Sequence, residues 1–195
     1  MFGNIKTLAI VAVVGFVGYS MFFGDSKEQT ADLGQVLDRT EYALQEYQGH
    51  LGNQGVTEVS EDQMTEFTRF YTSILNSDPR FYDNTLGLEV QKDARFLGFA
   101  DANGNGIQDS NEGKVFTVEI DEENNRLIAT DASGNSSGLR FSGTGFLAGA
   151  LIGSLIGRQR AAGVSKGSFN NRKTTPRGNY RAPSSARSGG PRSGK

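Results

Sequence analysis

An uncharged apolar run close to the N-terminus constrains this chain more than any other feature of its sequence. Residues Leu8–Phe23 read LAIVAVVGFVGYSMFF, and Lys6 precedes them. A helix that spans a bilayer needs about 20 apolar residues, with about 17 as the lower limit. The run reaches that limit when Thr7 and Gly24 are included. We therefore expect an uncleaved membrane anchor in residues 1–25.

A cleavable signal peptide is the main alternative for this run. Gly18 and Ser20 have the small side chains that a cleavage site requires, but Met21–Phe23 continue the apolar run beyond that point. If the run is an anchor, the preference for positive charge in the cytoplasm places the following domain outside it. The sequence thus predicts a membrane protein that contacts membrane lipid and whose folded domain lies outside the cytoplasm.

The charged residues are segregated along the chain. Residues 25–140 hold nine Lys or Arg and 22 Asp or Glu, whereas residues 158–195 hold ten Lys or Arg and no acidic residue. This asymmetry is typical of an acidic body with a basic interaction tail. The tail is rich in Gly, Ser, Arg, Asn and Pro, so we expect residues 158–195 to be disordered.

Residues 26–140 have the pattern of a helical hairpin followed by a small antiparallel β-meander. Apolar residues recur at helical spacing from Lys27 to Leu51 and again after Ser60, which can form a capping box with Gln63. The period then changes to two, which predicts strands at residues 95–99, 115–120 and 127–129. The fold class that follows is α+β, with a transmembrane helix before this domain.

The connection between the first two predicted strands carries a metal-binding pattern. Residues 101–112 read DANGNGIQDSNE and satisfy the calcium-loop pattern D-x-[DN]-x-[DN]-G-x5-E. Calcium takes about six to eight oxygen ligands, and alternate positions of a curling chain supply them. Gly106 permits the sharp turn. The predicted ligands are the side chains of Asp101, Asn103, Asn105, Asp109 and Glu112 and the backbone carbonyl of Ile107.

The flanks of this loop read as strands, whereas an EF-hand has helices there. Gln108 holds the eighth position, where an EF-hand usually has an aliphatic residue. The run is similar to the calcium loops in B-type repeats of bacterial surface adhesins, and this resemblance implies calcium binding only. The alternative is a polar hairpin loop whose Asp, Asn and Gly residues merely favour turns. We expect a weak affinity, on the order of 10⁻⁴ to 10⁻³ M.

A second apolar run has glycine at every fourth position. Residues 145–157 read GFLAGALIGSLIG, and residues four apart share a helix face, so the glycines predict a groove that a partner helix can approach closely. We expect a short glycine-zipper helix over 141–157 that associates with the membrane or packs on Leu8–Phe23. Self-association would use Gly145, Gly149, Gly153 and Gly157.

The order of anchor, polar domain, glycine run and Ser/Gly/Arg tail resembles uncharacterised families of bacterial envelope lipoproteins. The lipid-bearing cysteine is missing, since the chain has no Cys. Lipid anchoring is therefore not implied, and disulfides and thiol catalysis are excluded. Paired carboxylates such as Glu122 and Glu123 lie in a predicted turn without a neighbouring base, so we predict no enzymatic activity.

These patterns predict a non-enzymatic, membrane-anchored bacterial envelope protein with one structural calcium site and glycine-zipper self-association. One alternative is a membrane-permeabilising or pore-type protein that uses the glycine-zipper helix. The other is a binder of anionic lipid or nucleic acid through the basic tail, in which Phe169 and Tyr180 occur among the arginines.

Overall fold

Two antiparallel helices form one layer of the computed structural model, which describes residues 30–142 and 145–182. Helix α1 spans Leu33–Asn53 and begins after Asp32, whose carboxylate accepts hydrogen bonds from two backbone N–H groups of the first turn. Helix α2 spans Glu61–Leu75, and the predicted capping box is present at its start. The backbone N–H of Gln63 donates to Ser60 Oγ at 3.2 Å, and the Ser60 N–H donates to Gln63 Oε1 at 3.0 Å.

A six-stranded mixed sheet forms the second layer, and its spatial order follows the chain order. The first five strands make an antiparallel meander, and β6 pairs with β5 in parallel. The α+β class is therefore confirmed, although the sheet has more strands than the pattern predicted. The strands are β1 Leu86–Val90, β2 Phe96–Ala100, β3 Lys114–Asp121, β4 Arg126–Asp131, β5 Ser136–Arg140 and β6 Thr175–Pro176.

The hydrophobic core lies between the helices and one face of the sheet. Phe116, Val118 and Ile120 alternate along β3, and all three are fully buried in this core. The ring of Tyr71 on α2 meets the ring of Phe96 edge-on, with a centroid distance of 5.5 Å. Aromatic pairs of this geometry contribute about 0.5–1.5 kcal/mol beyond the burial of their area. The aromatic stripe of α2 is therefore structural.

Helix α3 spans Ala150–Ala161, so the predicted helix over 141–157 is wrong at both ends. Its buried residues belong to the same core, and the helix packs against α1. Each buried Leu or Ile contributes about 1.5–3 kcal/mol, which outweighs a cost of about 1 kcal/mol for each helical glycine. The apolar face of α3 consists of Leu151, Ile152, Leu155 and Ile156.

The predicted anchor, Leu8–Phe23, lies outside the described residues. Across residues 30–142 and 145–182, none of the helices combines the length and the apolar character that crossing a bilayer requires. Helix α3 has 12 residues, whereas a span needs roughly 20.

The expectation of disorder over 158–195 is also wrong for the described part of that segment. Residues 158–161 complete α3, and residues 162–182, which we call the strap, follow the body as far as α1. Arg172 pairs with Glu119 on β3, and Arg177 pairs with Asp38 on α1. None of the strap residues is fully buried. The segment is held by these ion pairs, by the pairing of β6 with β5, and by Tyr180, which packs against the core.

Candidate calcium-binding loop

The predicted calcium loop, residues 101–112, connects β2 to β3, and the sheet fixes both of its ends. The backbone N–H of Asp101 donates to the carbonyl of Thr85 at 3.0 Å, in line with the β1–β2 ladder. The backbone N–H of Ala100 donates to the carbonyl of Gly113 at 3.1 Å. The first and last predicted ligands, Asp101 and Glu112, are therefore brought close together by regular strand pairing.

Asp101 organises the first half of the loop. Its Oδ1 accepts the backbone N–H of Gly104 at 2.7 Å and that of Asn105 at 3.1 Å. Its Oδ2 accepts the N–H of Gly106 at 2.9 Å. Gly104 and Gly106 both have φ of +73°, a left-handed conformation that glycine adopts without a steric penalty. The chain therefore curls around a carboxylate that is only 6% exposed.

The two asparagines bring the middle of the loop towards Asp109. Asn103 Oδ1 accepts the backbone N–H of Asn105 at 3.0 Å, and Asn105 Oδ1 accepts that of Ile107 at 2.7 Å. The side-chain amide of Asn103 donates to Asp109 Oδ2 at 2.7 Å, and that of Asn105 donates to the same oxygen at 3.2 Å. Asp109 is thus the point where the two asparagine side chains converge.

Glu112 closes the loop from its C-terminal end. Its Oε1 accepts the backbone N–H of Ala102 at 2.8 Å, and its Oε2 accepts that of Asp109 at 3.1 Å. The residue is 7% exposed, so the carboxylate lies within the loop. A carboxylate has about four lone-pair sites, so each oxygen that accepts one N–H retains capacity for a cation.

The donor set fits a hard cation only when the asparagine and backbone oxygens are included. In the described part of the chain, no three His, Cys, Asp or Glu side chains are grouped closely enough to hold a metal ion. The loop supplies Asp101, Asp109 and Glu112, and the remaining oxygens would come from Asn103, Asn105 and the carbonyl of Ile107. These are the oxygen types that calcium prefers. A bound ion would have to displace the asparagine amides from Asp109.

All six predicted ligands lie in one curled loop, and hydrogen bonds to side-chain oxygens link them to one another. Ile107 takes part through its backbone alone: its N–H donates to Asn105 Oδ1, its side chain is 68% exposed, and only its carbonyl is a candidate ligand. The amide of Gln108 donates to the carbonyl of Glu112 at 3.2 Å, so this departure from the EF-hand pattern has a local structural role. Sequence reasoning missed that contact.

The four spaced glycines do not form the continuous groove that their spacing predicts. Gly145 precedes α3 and is not helical, and Gly149 packs on α1. A Cβ at Gly149 would lie 2.1 Å from the side-chain amide nitrogen of Gln48. A Cβ at Gly153 or Gly157 would meet no atom within 4 Å. Only these last two glycines offer an open helix surface.

No protein-family model matches the chain, and no curated protein or solved structure is significantly similar to it.

Proposed function

We propose that this chain is a non-enzymatic, membrane-anchored envelope protein whose folded domain binds one calcium ion in residues 101–112. The observation that carries the proposal is the pair of buried carboxylates at the two ends of the loop. Asp101 accepts three backbone N–H groups and Glu112 accepts two, so the complete calcium pattern is also a curled, internally bonded loop. A solvent-exposed hairpin tip would not need either carboxylate to be buried.

The ion would have a structural role. It would add positive charge among Asp101, Asp109 and Glu112, whose mutual repulsion otherwise opposes the closed loop. It would also join the end of β2 to the start of β3. An affinity on the order of 10⁻⁴ to 10⁻³ M suits a domain outside the cytoplasm, in agreement with the orientation that the N-terminal run and the basic C-terminus favour.

A calorimetric titration of the full chain in neutral detergent micelles tests this proposal. We expect saturable heat at millimolar calcium and a rise in the thermal midpoint. The charge-matched variants are Glu112→Gln, which should abolish both effects, and Glu58→Gln, an exposed residue outside the loop that should change neither. Absence of heat and of a thermal shift in the unmodified chain would reject the calcium site.

Self-association remains a second candidate, now restricted to the surface around Gly153 and Gly157. Small residues let two helix backbones approach closely, and nothing in the described residues covers these two positions. The observation that favours this proposal is their exposure on a helix whose opposite face is firmly buried. In detergent, Gly153→Leu should dissociate an oligomer, whereas an unchanged oligomer would rule out this face.

The other functions that the sequence suggested need rearrangements. A permeabilising role requires α3 to leave α1, since Leu151, Ile152, Leu155 and Ile156 are buried in the core. Binding of an extended nucleic acid along the tail would compete with Glu119 and Asp38 for Arg172 and Arg177. We therefore give both a lower rank than calcium binding.

A further inference from the structure

A groove of about 530 Å³ lies between β5 and the strap, and its charged lining residues are all basic although the domain is acidic. Among the described residues, no Asp or Glu lines it. Its volume lies within the range of roughly 300–1,000 Å³ that is common for small-molecule sites. We call it the arginine groove, because its charged lining residues are Arg126, Arg140, Arg172 and Arg177.

Three of these arginines are held in place by carboxylates that do not line the groove. The side chain of Arg126 is only 7% exposed, and its Nε donates to Asp121 Oδ2 at 2.7 Å. Arg172 Nη2 donates to Glu119 Oε2 at 2.5 Å, and Arg177 pairs with Asp38 through both Nε and Nη2. Fixed guanidinium groups lose less conformational freedom when a ligand binds, so this arrangement favours anion binding.

Arg140 supplies the uncompensated charge of the groove. It is exposed, and within the described ranges it forms no salt bridge. Its side chain forms one hydrogen bond to the described residues, from Nη1 to the carbonyl of Asn124, and this bond is long at 3.4 Å. Arg172 uses only Nη2 in the hydrogen bonds of the described region, so its Nε and Nη1 are also open to a ligand. Arg140 of β5 and Arg172 of the strap therefore both line one groove whose described lining contains no acid.

We propose that the arginine groove binds a phosphate group, carried either by a soluble phosphorylated molecule or by a lipid headgroup. Arginine presents planar pairs of N–H donors that match the oxygens of a phosphate, and donors from two sides of the groove suit a tetrahedral anion. The Asn124 and Asn170 side chains at one end of the groove add neutral polar groups for the rest of the ligand.

The test uses the full chain with ¹⁵N-labelled arginine in neutral detergent micelles and calcium-free buffer, titrated with pyrophosphate. We expect saturable shifts in a subset of the arginine Nε–H signals. Arg140→Gln should weaken the affinity by about tenfold or more, because a hydrogen bond to a charged group is lost. Arg80→Gln removes the same charge from an exposed position outside the groove and should leave the affinity unchanged.

A second arm replaces pyrophosphate with lipid. The same chain is placed in phosphatidylcholine nanodiscs with and without phosphatidylglycerol. Shifts of the same signals in the anionic discs alone identify the headgroup as the source of the phosphate, and a response to pyrophosphate alone identifies a soluble ligand. Absence of saturable shifts in both arms would overturn the proposal, as would equal weakening by Arg140→Gln and Arg80→Gln.

Discussion

Arg172 in the strap donates to Glu119 on β3 at 2.5 Å, across 53 positions of sequence. The pair lies on the face of the sheet opposite the helices, since Glu119 alternates with the core residues Val118 and Ile120. Burial raises the pKa of the Glu119 carboxyl above its ordinary value of 4.5, while the charge of Arg172 opposes that rise. The opposite charges of body and tail thus meet within the molecule.

Removing the guanidinium should destabilise the protein in a pH-dependent way. Arg172→Gln leaves an ionised carboxylate with 10% side-chain exposure at neutral pH, and we expect a loss of about 1–2 kcal/mol, below the value for a fully buried pair because Arg172 is 41% exposed. A carboxyl with a raised pKa stabilises the fold below its unfolded pKa and loses that contribution as pH rises through its folded pKa. The destabilisation should therefore shrink as the pH falls towards 4.

Urea unfolding at several pH values measures this effect. Glu119→Gln in the Arg172→Gln background supplies the control, because it removes the charge that would be left unpaired. The double variant should recover stability at neutral pH relative to Arg172→Gln alone. A destabilisation that stays constant with pH and persists in the double variant would contradict the role assigned to this pair.

The strap should open more readily in high salt. None of its residues is fully buried, and the side chains of the Arg177–Asp38 pair are 30% and 47% exposed. Exposed ion pairs are screened when the Debye length falls from about 10 Å at 0.1 M to about 3 Å at 1 M. Trypsin should therefore cut after Arg172 and Arg177 several-fold faster at 1 M NaCl, while Arg126 stays protected. A free peptide of the same sequence corrects for the effect of salt on the protease.

Arg39→Lys should destabilise the protein even though it keeps the positive charge. Its Nη1 donates to the carbonyls of Ile74, Leu75 and Ser77 at 2.6, 3.1 and 2.9 Å, and its Nη2 donates to that of Pro79 at 2.6 Å. The carbonyls of Ile74 and Leu75 end α2, where backbone acceptors lack helical partners, and those of Ser77 and Pro79 belong to the segment that follows it. A lysine ammonium is a single compact group and cannot replace the bonds that both Nη1 and Nη2 make to these carbonyls. Arg39→Lys should therefore lower the free energy of unfolding by about 1–3 kcal/mol. Full stability in thermal melts of Arg39→Lys would contradict this.

Alanine substitutions at the glycines of the α3 region should change the stability of the protein in opposite directions. Gly149→Ala would place a Cβ 2.1 Å from the Gln48 amide and push that amide away from the carbonyl of Ala148, to which it donates at 2.8 Å, so the variant should be destabilised. Gly153→Ala and Gly157→Ala meet open space in a helix, so each should stabilise it by about 0.5–1 kcal/mol. Chemical denaturation at low protein concentration, where monomers dominate, measures all three. A loss of stability at Gly153 under those conditions would show that the surface is not open.

The sequence predicted the elements whose signals are local. The capping box of Ser60 and Gln63 marks the start of α2, and the alternation of β3 separates core residues from the opposite face. Strand β5 was not predicted, because its sequence SSGLR has little intrinsic strand preference and depends on pairing with β4. Gly138 in that strand allows Thr174 of the strap to approach, which no local pattern indicates.

The strap and the candidate calcium loop show the same difference between signals that are local in the sequence and contacts that depend on the fold. Composition predicted disorder after Arg158, whereas the pairing of Arg172 with Glu119, which helps to order this segment, depends on the folded sheet. The six candidate ligands were found because the calcium-loop pattern is contiguous in sequence. The hydrogen bonds from Asn103 and Asn105 to Asp109 were not, since side-chain direction depends on how the loop curls.

Substitutions of the two aspartates of that loop, Asp101 and Asp109, should separate its folding from calcium binding. Asp101→Ala removes the acceptor of three backbone N–H groups in a mostly buried position and should cost about 1–3 kcal/mol even without calcium. Asp109→Ala removes only the acceptor of two exposed asparagine amides and should cost less than about 1 kcal/mol. Both variants should lose the thermal shift that calcium produces, because each removes a charged ligand. Thermal unfolding with and without millimolar calcium distinguishes the two effects. If the stable Asp109→Ala variant kept the full calcium-dependent shift, the ion would be bound elsewhere than in residues 101–112.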